Sequence, residues 1–285
     1  MDVVTTILGV RARVRAWRAA GLRIALVPTM GNLHEGHMSL LAVAAARADR
    51  VIVSIFVNPL QFGPAEDFAA YPRTLDEDQQ LLTGGRCDLL FAPTVDQMYP
   101  EGGAQPTLIT VRGLSSELCG QFRPGHFDGV TTVVAKLFNI VTPDVAVFGE
   151  KDIQQFTLIR RMTRDLVLPV EVVGAPTVRA PDGLALSSRN RFLSAQERRI
   201  APAIHGALQD ACRRLAAGAR DFTAIEAAGW QTLAKAGLRP DYFAVRDARE
   251  LQLPGPATRE FVVLTAARLG RARLIDNERV HIGTP

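Results

Sequence analysis

The chain has 285 residues, of which 47% are hydrophobic and 22% are charged, and its formal net charge is +4. This length exceeds a typical single domain and predicts two domains, and the composition is that of an ordinary globular enzyme rather than a disordered protein. No apolar run is long enough to span a bilayer, and the start has neither a basic leader nor a small-residue cleavage site. We therefore expect a cytoplasmic protein with no signal peptide and no membrane partner.

The cysteines and the basic residues both bear on the class of function. The three cysteines, Cys87, Cys119 and Cys212, are far apart and odd in number, which predicts reduced thiols rather than disulfides or a metal site. The positive charge lies in residues 176–285, which carry 17 basic against 11 acidic residues. Because these arginines have the spacing of helix surfaces with few aromatics between them, a solvated face explains them better than a nucleic-acid site, which stays as an alternative.

Four elements are predicted in the first 57 residues. They are, in order, a helix over Arg11–Ala20, a strand over Ile24–Val27, a helix over Met38–Ala48 and a strand over Val51–Val57. A strand-helix-strand unit places its two strands parallel and side by side with a right-handed crossover. Because the strands are continuous apolar runs, we expect a sheet that is covered on both faces.

The turn between the first of these strands and the following helix is the strongest functional signal in the chain. It holds two histidines, His34 and His37, and two glycines, Gly31 and Gly36, which allow a ligand to approach the backbone closely. A helix start offers unpaired N–H groups and positive dipole, so the turn predicts an anion site where two imidazoles donate to phosphate oxygens. A single histidine there is more often a cap or a surface residue, but the paired pattern is hard to explain by packing.

The second strand runs into the segment Asn58–Gly63. In open parallel sheets ligands collect beyond the carboxyl ends of the strands. The amide of Gln61 both donates and accepts, which suits the hydroxyl and carboxylate groups of a small substrate. Capping of the loop by Asn58 and Gln61 explains the same residues equally well. A polar loop that contains aromatic residues is predicted over Pro64–Arg73.

The middle of the chain completes the predicted sheet. The predicted elements are a helix over Leu75–Leu82, a strand over Asp88–Ala92, a helix over Val130–Ile140 and strands over Val145–Phe148 and Val170–Val173. Between them, Thr94–Gln121 has little periodicity beyond Leu108–Val111, which is typical of a flap or an interface arm. The basic turn Arg123–Gly129 is compatible with an anion site or with a plain connector.

A second polar turn, Gly149–Asp152, follows the strand Val145–Phe148. Its glycine allows backbone approach, its lysine offers charge for phosphate, and its aspartate can accept from ribose hydroxyls. A local pair of Lys151 with Asp152 on the surface is the simpler alternative. Three of the 33 basic residues are lysines, and an ammonium is not interchangeable with a guanidinium, so Lys151 stands out. Two such turns at one edge of a sheet favour a binding site.

A hinge at Ala175–Pro176 is predicted to separate a first domain, residues 1–175, from a second domain, residues 176–285. In the second domain, Leu186–Asn190 offers two hydroxyls and a guanidinium that can neutralise a leaving pyrophosphate, although its serines also suit a helix start. The remaining predictions are a capping box at Ser194–Glu197, helices over Ala195–Ala217 and Phe222–Ala236, and an antiparallel sheet of strands near Tyr242–Val245, Phe261–Arg268 and Ala272–Asp276.

Several motifs follow one another along nearly the whole chain. They are PTMGNLHEGH, FVNPLQFGPAEDFAAYPRT, LCGQFRPGHFDGVTTVV, FGEKDIQQ and LSSRN. The H-x-G-H part resembles the signature of the nucleotidyltransferase superfamily, and the ordered set resembles the pantothenate synthetases, or pantoate–β-alanine ligases. The resemblance implies an α/β fold, with a Rossmann-like parallel-sheet domain and a smaller mixed α+β carboxyl-terminal lid domain. It also implies ATP as a substrate, Mg²⁺ carried with the nucleotide, and a homodimer.

The resemblance assigns roles to particular residues. It implies His34, His37 and Lys151 as catalytic groups, with His37 as the acid. The implied ATP-binding residues are Met30, Gly31, Asn32, Leu33, His34, Glu35, Gly36, His37, Gly149, Glu150, Lys151, Asp152, Val178, Leu186, Ser187, Ser188 and Arg189. Gln61 and Gln155 are implied for pantoate and Gln61 also for β-alanine, and no residue is implied as a metal ligand.

Finer roles within the ATP set are also implied by the resemblance. Gly149 and Asp152 would contact the ribose, and Val178 would contact the adenine through its backbone. Cys119 stands where certain members of the family have glutamate, so the role of Leu118–Gly120 is left open.

The implied reaction has two steps. The carboxylate of pantoate attacks the α-phosphate of ATP to give pantoyl adenylate and pyrophosphate, and the amine of β-alanine then displaces AMP to give pantothenate, a precursor of coenzyme A. Positioning two anions and spreading the developing charge over cations explains this chemistry without a covalent nucleophile. Two alternatives remain open: a nucleotidyltransferase that stops at nucleotide transfer, and a nucleic-acid binding protein.

Overall fold

The computed structural model describes residues 1–63, 68, 71–101 and 107–283. It divides into two compact units, of which the first comprises Met1–Glu150 and Leu158–Pro176 and the second comprises Lys151–Thr157 and Thr177–Pro285. The break after Pro176 lies one residue from the predicted domain boundary. The short segment Lys151–Thr157, which was expected in the first domain, is grouped with the second unit.

The first unit is built on a parallel sheet. Its strands are β1 (Asp2–Val4), β2 (Ile24–Thr29), β3 (Arg50–Ile55), β4 (Leu89–Phe91), β5 (Val145–Gly149) and β6 (Glu171–Ala175). The six strands lie in the order β1-β4-β3-β2-β5-β6, and every pairing is parallel. The chain moves outward from β2 in both directions, so the strand order reverses between β2 and β5. Crevices that bind ligands form at such reversals.

Helices cover this sheet. In chain order they are α1 (Ile7–Ala19), α2 (Glu35–Ala45), α3 (Leu75–Thr83), α4 (Val95–Met98), α5 (Cys119–Phe122), α6 (His126–Val141) and α7 (Ile153–Asp165), and α7 begins in the segment grouped with the second unit. On one face, Leu41 and Ala44 of α2 pack against Val27 of β2. The residues next to Val27, whose side chains alternate to the other face, are equally buried, since Leu26 is 0% exposed. The sheet is therefore covered on both faces, as its apolar strands predicted.

The second unit combines helices with an antiparallel sheet. Its helices are α8 (Ala195–Ile200), α9 (Ala203–Ala216) and α10 (Phe222–Lys235), and its strands are β7 (Arg239–Asp247), β8 (Glu260–Leu269) and β9 (Ala272–His281), in the order β7-β8-β9. Buried residues of α9, such as Leu208 and Leu215, share one core with Phe261 of β8. The predicted antiparallel sheet and the mixed α+β character of this part are both confirmed.

Some predicted elements differ from the structure. The single helix predicted over Ala195–Ala217 is two helices, because Pro202 has no N–H to continue the first one. The stretch Leu108–Val111, for which no element was predicted, has no regular secondary structure. It lies along α6, where Thr132 Oγ1 accepts from the N–H of Ile109 at 2.9 Å.

Parts of the predicted loop Pro64–Arg73 lie outside the described residues, namely 64–67 and 69–70. The predicted capping box is confirmed, since the Glu197 carboxylate accepts from the N–H of Ser194 at 2.7 Å and the Ser194 hydroxyl accepts from the N–H of Glu197 at 3.3 Å. In the described part of the chain, no helix has both the length and the apolar character that crossing a membrane requires.

Two cysteine thiols are predicted to be inert in the native protein. Burial raises the pKa of Cys87 to about 11 and that of Cys212 to about 12. Since the thiolate is the reactive form, both groups are almost entirely protonated at pH 8. We expect iodoacetamide to label neither residue in the folded protein and both in urea, as followed by mass spectrometry. Rapid labelling of either native thiol would contradict this.

Candidate active site

The turn from β2 to α2 depends on two consecutive residues in the left-handed region. Gly31 has φ of 78° and Asn32 has φ of 53°. A Cβ on Gly31 would lie 2.9 Å from the Oδ2 atom of Asp78, so a side chain there would be both strained and crowded. The hydroxyl of Thr29 accepts from the N–H of Gly31 at 3.2 Å. Gly31 was predicted to let a ligand approach the backbone, and in the structure it is the carboxylate of Asp78 that lies close to it.

A buried carboxylate, Asp78 on α3, fixes this turn from the side. Its two oxygens accept from the backbone N–H of Asn32 at 2.9 Å and of Leu33 at 2.7 Å, and the hydroxyl of Thr74 donates to it at 3.2 Å. Asp78 is 1% exposed. Sequence reasoning missed this residue, because its partners lie 45 and 46 residues away and a helix-start aspartate has an ordinary explanation.

The two predicted catalytic imidazoles cap the start of α2. His34 Nδ1 accepts from the N–H of Gly36 at 3.1 Å, and His37 Nδ1 accepts from the N–H of His34 at 3.2 Å. The ring centroids are 4.2 Å apart. The alternative of a capping role is thus correct for both residues, and it does not exclude chemistry, because each cap uses one of two ring nitrogens.

These caps determine the tautomer of both rings. A nitrogen that accepts from a backbone N–H carries no proton, so a neutral His34 or His37 has its proton on Nε2. The capping geometry thus makes Nε2–H the donor of each imidazole. Two Nε2–H donors and the positive end of the α2 dipole are grouped at the carboxyl end of β2, which is the chemistry of a phosphate site.

The end of β5 lies beside this turn in the first unit. Strand β5 pairs with β2 through Ala25 with Val145 and Leu26 with Ala146. A Cβ built on Gly149 would lie 3.9 Å from a methyl group of Leu40 on α2. The structure therefore brings Gly149 against the middle of α2, at the reversal of strand order.

Gln61 lies in a 3-10 helix, Pro59–Gln61, that follows β3. The side chain of Asn58 begins this helix by accepting from the N–H of Leu60 at 3.3 Å, and it also accepts from the hydroxyl of Tyr99 at 2.9 Å. Asn58 is therefore a cap, as one of the two interpretations proposed. The amide of Gln61 makes no hydrogen bond to another described residue, although Gln61 is 6% exposed.

The main chain of Gln61 is held from α6. Its carbonyl accepts from His126 Nδ1 at 2.8 Å, and Arg123 donates to His126 Nε2 at 2.9 Å, so this histidine is neutral with its proton on Nδ1. A Cβ on Gly129 would overlap the carbonyl oxygen of Leu60, so only glycine allows this close approach. The basic turn before α6 is therefore used to fix the Gln61 segment.

Lys151 belongs to the second compact unit. Its turn forms a 3-10 helix, Glu150–Asp152, ahead of α7. The Lys151 side chain is 14% exposed, and its Nζ lies 3.7 Å from Asp152 Oδ2, beyond hydrogen-bond distance. Lys151 and Asp152 therefore form a local ion pair, as the simpler interpretation expected, but the pair is a long one. On the same unit, Asn277 Nδ2 donates to the carbonyl of Lys151 at 3.0 Å.

A short hairpin brings Val178 and Leu186 together. The carbonyl of Val178 accepts from the N–H of Leu186 at 2.9 Å, and Arg179 pairs with Ala185 across the hairpin. Ser187 then caps a 3-10 helix, Ser188–Phe192, by accepting from the N–H of Arg189 at 3.2 Å.

The predicted site residues thus fall into two groups. The first unit contains Met30, Gly31, Asn32, Leu33, His34, Glu35, Gly36, His37, Gln61, Gly149 and Glu150, and the second contains Lys151, Asp152, Gln155, Val178, Leu186, Ser187, Ser188 and Arg189.

Comparison with known proteins identifies the family. A family model described as Pantoate-beta-alanine ligase matches residues 2–279. The pantothenate synthetase of Pseudomonas aeruginosa is 55% identical over 282 residues, covering 99% of this chain and 100% of that protein. The pantothenate synthetase of Stutzerimonas stutzeri is 55% identical over 284 residues, covering 100% of this chain and 99% of that one.

Solved structures agree with the sequence comparison. The crystal structure of pantothenate synthetase from Thermus thermophilus is 45% identical, with a TM-score of 0.90 and coverage of 99% of this chain and 100% of that chain. The pantoate-beta-alanine ligase from Francisella tularensis is 33% identical, with a TM-score of 0.81 and coverage of 98% and 97%.

The parallel sheet, with helices packed on it and a histidine turn at the carboxyl end of β2, defines an α/β protein with an anion site at the reversal of strand order. Within that class, the chain belongs to the pantoate–β-alanine ligase family, the pantothenate synthetases. The predicted family, fold class and enzyme class are confirmed.

Replacing Asp78 is expected to loosen the signature turn. Asp78→Asn keeps the shape but turns an amide N–H₂ toward a buried backbone N–H, which costs about 1–3 kcal/mol. We expect the free energy of unfolding in urea to fall by that amount. The matched control is Asp76→Asn, an exposed aspartate in the same helical turn, which should change it by less than about 0.5 kcal/mol. Equal stability of the two variants would contradict the role of Asp78.

Proposed function

We propose that this chain joins pantoate to β-alanine with consumption of ATP, through a pantoyl adenylate, and releases AMP and pyrophosphate. Membership of the family over nearly the whole chain supports the reaction. The Francisella tularensis relative was solved in complex with beta-gamma ATP and beta-alanine, two of the three substrates needed. The observation that carries the proposal is the pair of Nε2–H donors that the caps of α2 fix on His34 and His37.

In the first step, a carboxylate oxygen of pantoate forms a bond to the α-phosphorus of ATP. The bond from that phosphorus to the bridging oxygen breaks, and pyrophosphate leaves with the electron pair. Negative charge grows on the α-phosphate and on the leaving oxygen, and His34 and His37 stabilise it by donating from Nε2. Because the caps hold both rings before the substrates arrive, these donors need not reorganise during the reaction.

In the second step, the nitrogen of β-alanine forms a bond to the acyl carbon of the adenylate. The bond from that carbon to the AMP oxygen breaks, AMP leaves, and a proton is lost from the nitrogen. The amide of Gln61, which is buried on a fixed main chain, is suited to bind the hydroxyl and carboxylate groups of pantoate and to lie near β-alanine. Gln155 is proposed as the second pantoate ligand.

Lys151 and the segment Leu186–Arg189 supply the remaining contacts to ATP in this proposal. The ammonium of Lys151 and the guanidinium of Arg189 neutralise phosphate charge, and the hydroxyls of Ser187 and Ser188 donate to phosphate oxygens. We propose that Gly149 and Asp152 contact the ribose of ATP and that Val178 contacts the adenine. The other predicted ATP-binding residues lie in the same turns as these ligands.

Magnesium is proposed to arrive on the nucleotide. Mg²⁺ keeps several of its waters and is commonly bound through substrate phosphates, where it neutralises charge. In the described ranges, no three or more His, Cys, Asp or Glu side chains are grouped to hold a metal ion. A homodimer and a cytoplasmic location are retained as proposals.

Ion pairs favour the ligase over a nucleic-acid binding protein as an account of the basic carboxyl-terminal part. Pairs with carboxylates within 3.3 Å are made by Arg179, Arg198, Arg213, Arg214, Arg246 and Arg273. These guanidinium groups are engaged within the protein. That no nucleic acid binds stays a prediction.

His37 caps α2 through Nδ1 and is proposed to donate to phosphate through Nε2, and one substitution tests the second function alone. His37→Asn places Oδ1 where Nδ1 lies, so it keeps the cap and loses the Nε2–H. We expect the rate of adenylate formation to fall about 100- to 1000-fold with the melting temperature unchanged. Pyrophosphate release in single-turnover experiments measures the rate. His281→Asn, at an exposed histidine, is the control, and full activity of His37→Asn would remove His37 from the mechanism.

Substrate dependence distinguishes the ligase from a nucleotidyltransferase. We expect the purified protein to convert ATP to AMP and pyrophosphate only when pantoate is present, and to consume one β-alanine for each AMP released. Product analysis by chromatography and mass spectrometry measures both. A nucleotidylated product that accumulates with β-alanine in excess would identify a nucleotidyltransferase instead.

A further inference from the structure

Three consecutive residues of β9 hold two separate segments of the second unit. Asn277 Nδ2 donates to the carbonyl of Lys151 at 3.0 Å. Asp276 accepts from both Nη atoms of Arg179, at 2.6 and 3.1 Å, and Glu278 accepts from the same guanidinium at 3.1 Å. The strand therefore links the Lys151 turn to the hairpin that contains Arg179.

The link is buried and geometrically constrained. Asp276 is 4% exposed and Asn277 is 5% exposed. Arg179 also donates to the carbonyl of Asn277 at 3.1 Å and to that of Gly183 at 3.2 Å. A planar guanidinium that binds a carboxylate with two parallel bonds fixes direction as well as distance. The main chain at Asn277 is thus held by Arg179, while its side chain donates to the carbonyl of Lys151.

Anchoring the carbonyl of Lys151 constrains the direction of its side chain. The carbonyl plane and the Cα–Cβ bond are joined by a single backbone torsion, and the turn is only one 3-10 helix long, Glu150–Asp152. Lysine has a flexible stem with a compact charge, so its position depends on where the main chain starts it. A loose Asp152 contact at 3.7 Å adds little direction.

We propose that Asn277 is a positioning residue for the reaction, which acts through the main chain of Lys151 and so sets where the ammonium meets the phosphates of ATP. This inference rests on the proposed phosphate-binding role of Lys151. In this proposal Asn277 does not contact any substrate itself. Its side chain converts the Lys151 turn from a short flexible connection into a fixed part of the frame formed by β9 and the Val178–Leu186 hairpin.

The test is a double-mutant cycle in the full-length protein. We expect Asn277→Ala to lower kcat/KM for ATP about 10- to 100-fold, because small misplacements of a charged group have effects of this size, and to leave KM for β-alanine within twofold. Combined with Lys151→Ala, it should cause almost no further loss beyond Lys151→Ala alone. Asn139→Ala, at an exposed asparagine on α6, and Lys235→Ala, at an exposed lysine on α10, are the controls.

Each other outcome is decisive. If the losses multiply in the double variant, Asn277 acts independently of Lys151 and the inference is wrong. Full activity of Asn277→Ala beside an impaired Lys151→Ala also overturns it, whereas full activity of Lys151→Ala overturns the proposed role of Lys151 instead. Should Asn277→Ala fold poorly, by circular dichroism and melting temperature, Asn277→Asp repeats the cycle, because it keeps the shape and replaces the donor by an acceptor.

Discussion

The backbone N–H groups at the start of α2 need acceptors, and two of these acceptors are imidazole nitrogens. This one constraint decides the chemistry of the turn. Had serine or aspartate capped the helix, the turn would be an anion site with backbone donors alone. With His34 and His37 as caps, the same hydrogen bonds that complete the helix also fix which ring nitrogen carries the proton. The hydrogen bonds that stabilise the helix start therefore also fix the donor geometry of the two rings.

A second constraint is the left-handed backbone that precedes the caps. Gly31 and Asn32 adopt positive φ, a conformation that is unfavourable for asparagine. Asp78 stabilises this conformation by accepting hydrogen bonds from two backbone N–H groups of the turn. A carboxylate that is 1% exposed is stable only when such donors replace its water. The aspartate and the turn thus depend on each other, so the position of the imidazoles rests on a helix that carries no predicted site residue.

The sequence was sufficient where the signal is local and insufficient where partners are distant. Apolar runs and turn residues predicted β2, α2 and the later capping box at Ser194–Glu197, because each is specified within a few neighbours. The break at Pro202 was overlooked although its cause is local, since the helical pattern continues on both sides. Asp78 and Asn277 were out of reach for a different reason: their hydrogen bonds span 45 and 126 residues, and nothing near either residue distinguishes it. Pattern alone placed Lys151 in the first domain, whereas its grouping with the second unit depends on tertiary contacts that no local pattern reveals.

The two proposed sets of ATP ligands are consequently fixed by unlike means. His34 and His37 are oriented by bonds that reach across at most three residues, so their geometry requires little more than an intact helix start beside Asp78. Lys151 is oriented by a bond to a strand near the other end of the chain, and that strand is in turn held by the ion pair of Arg179 with Asp276. The cation is therefore positioned only when the second unit is folded, whereas the imidazoles are not subject to that condition. In the proposed mechanism both sets stabilise charge at the same time, so the long-range anchor that we propose at Asn277 would make folding of the second unit a condition for the chemistry.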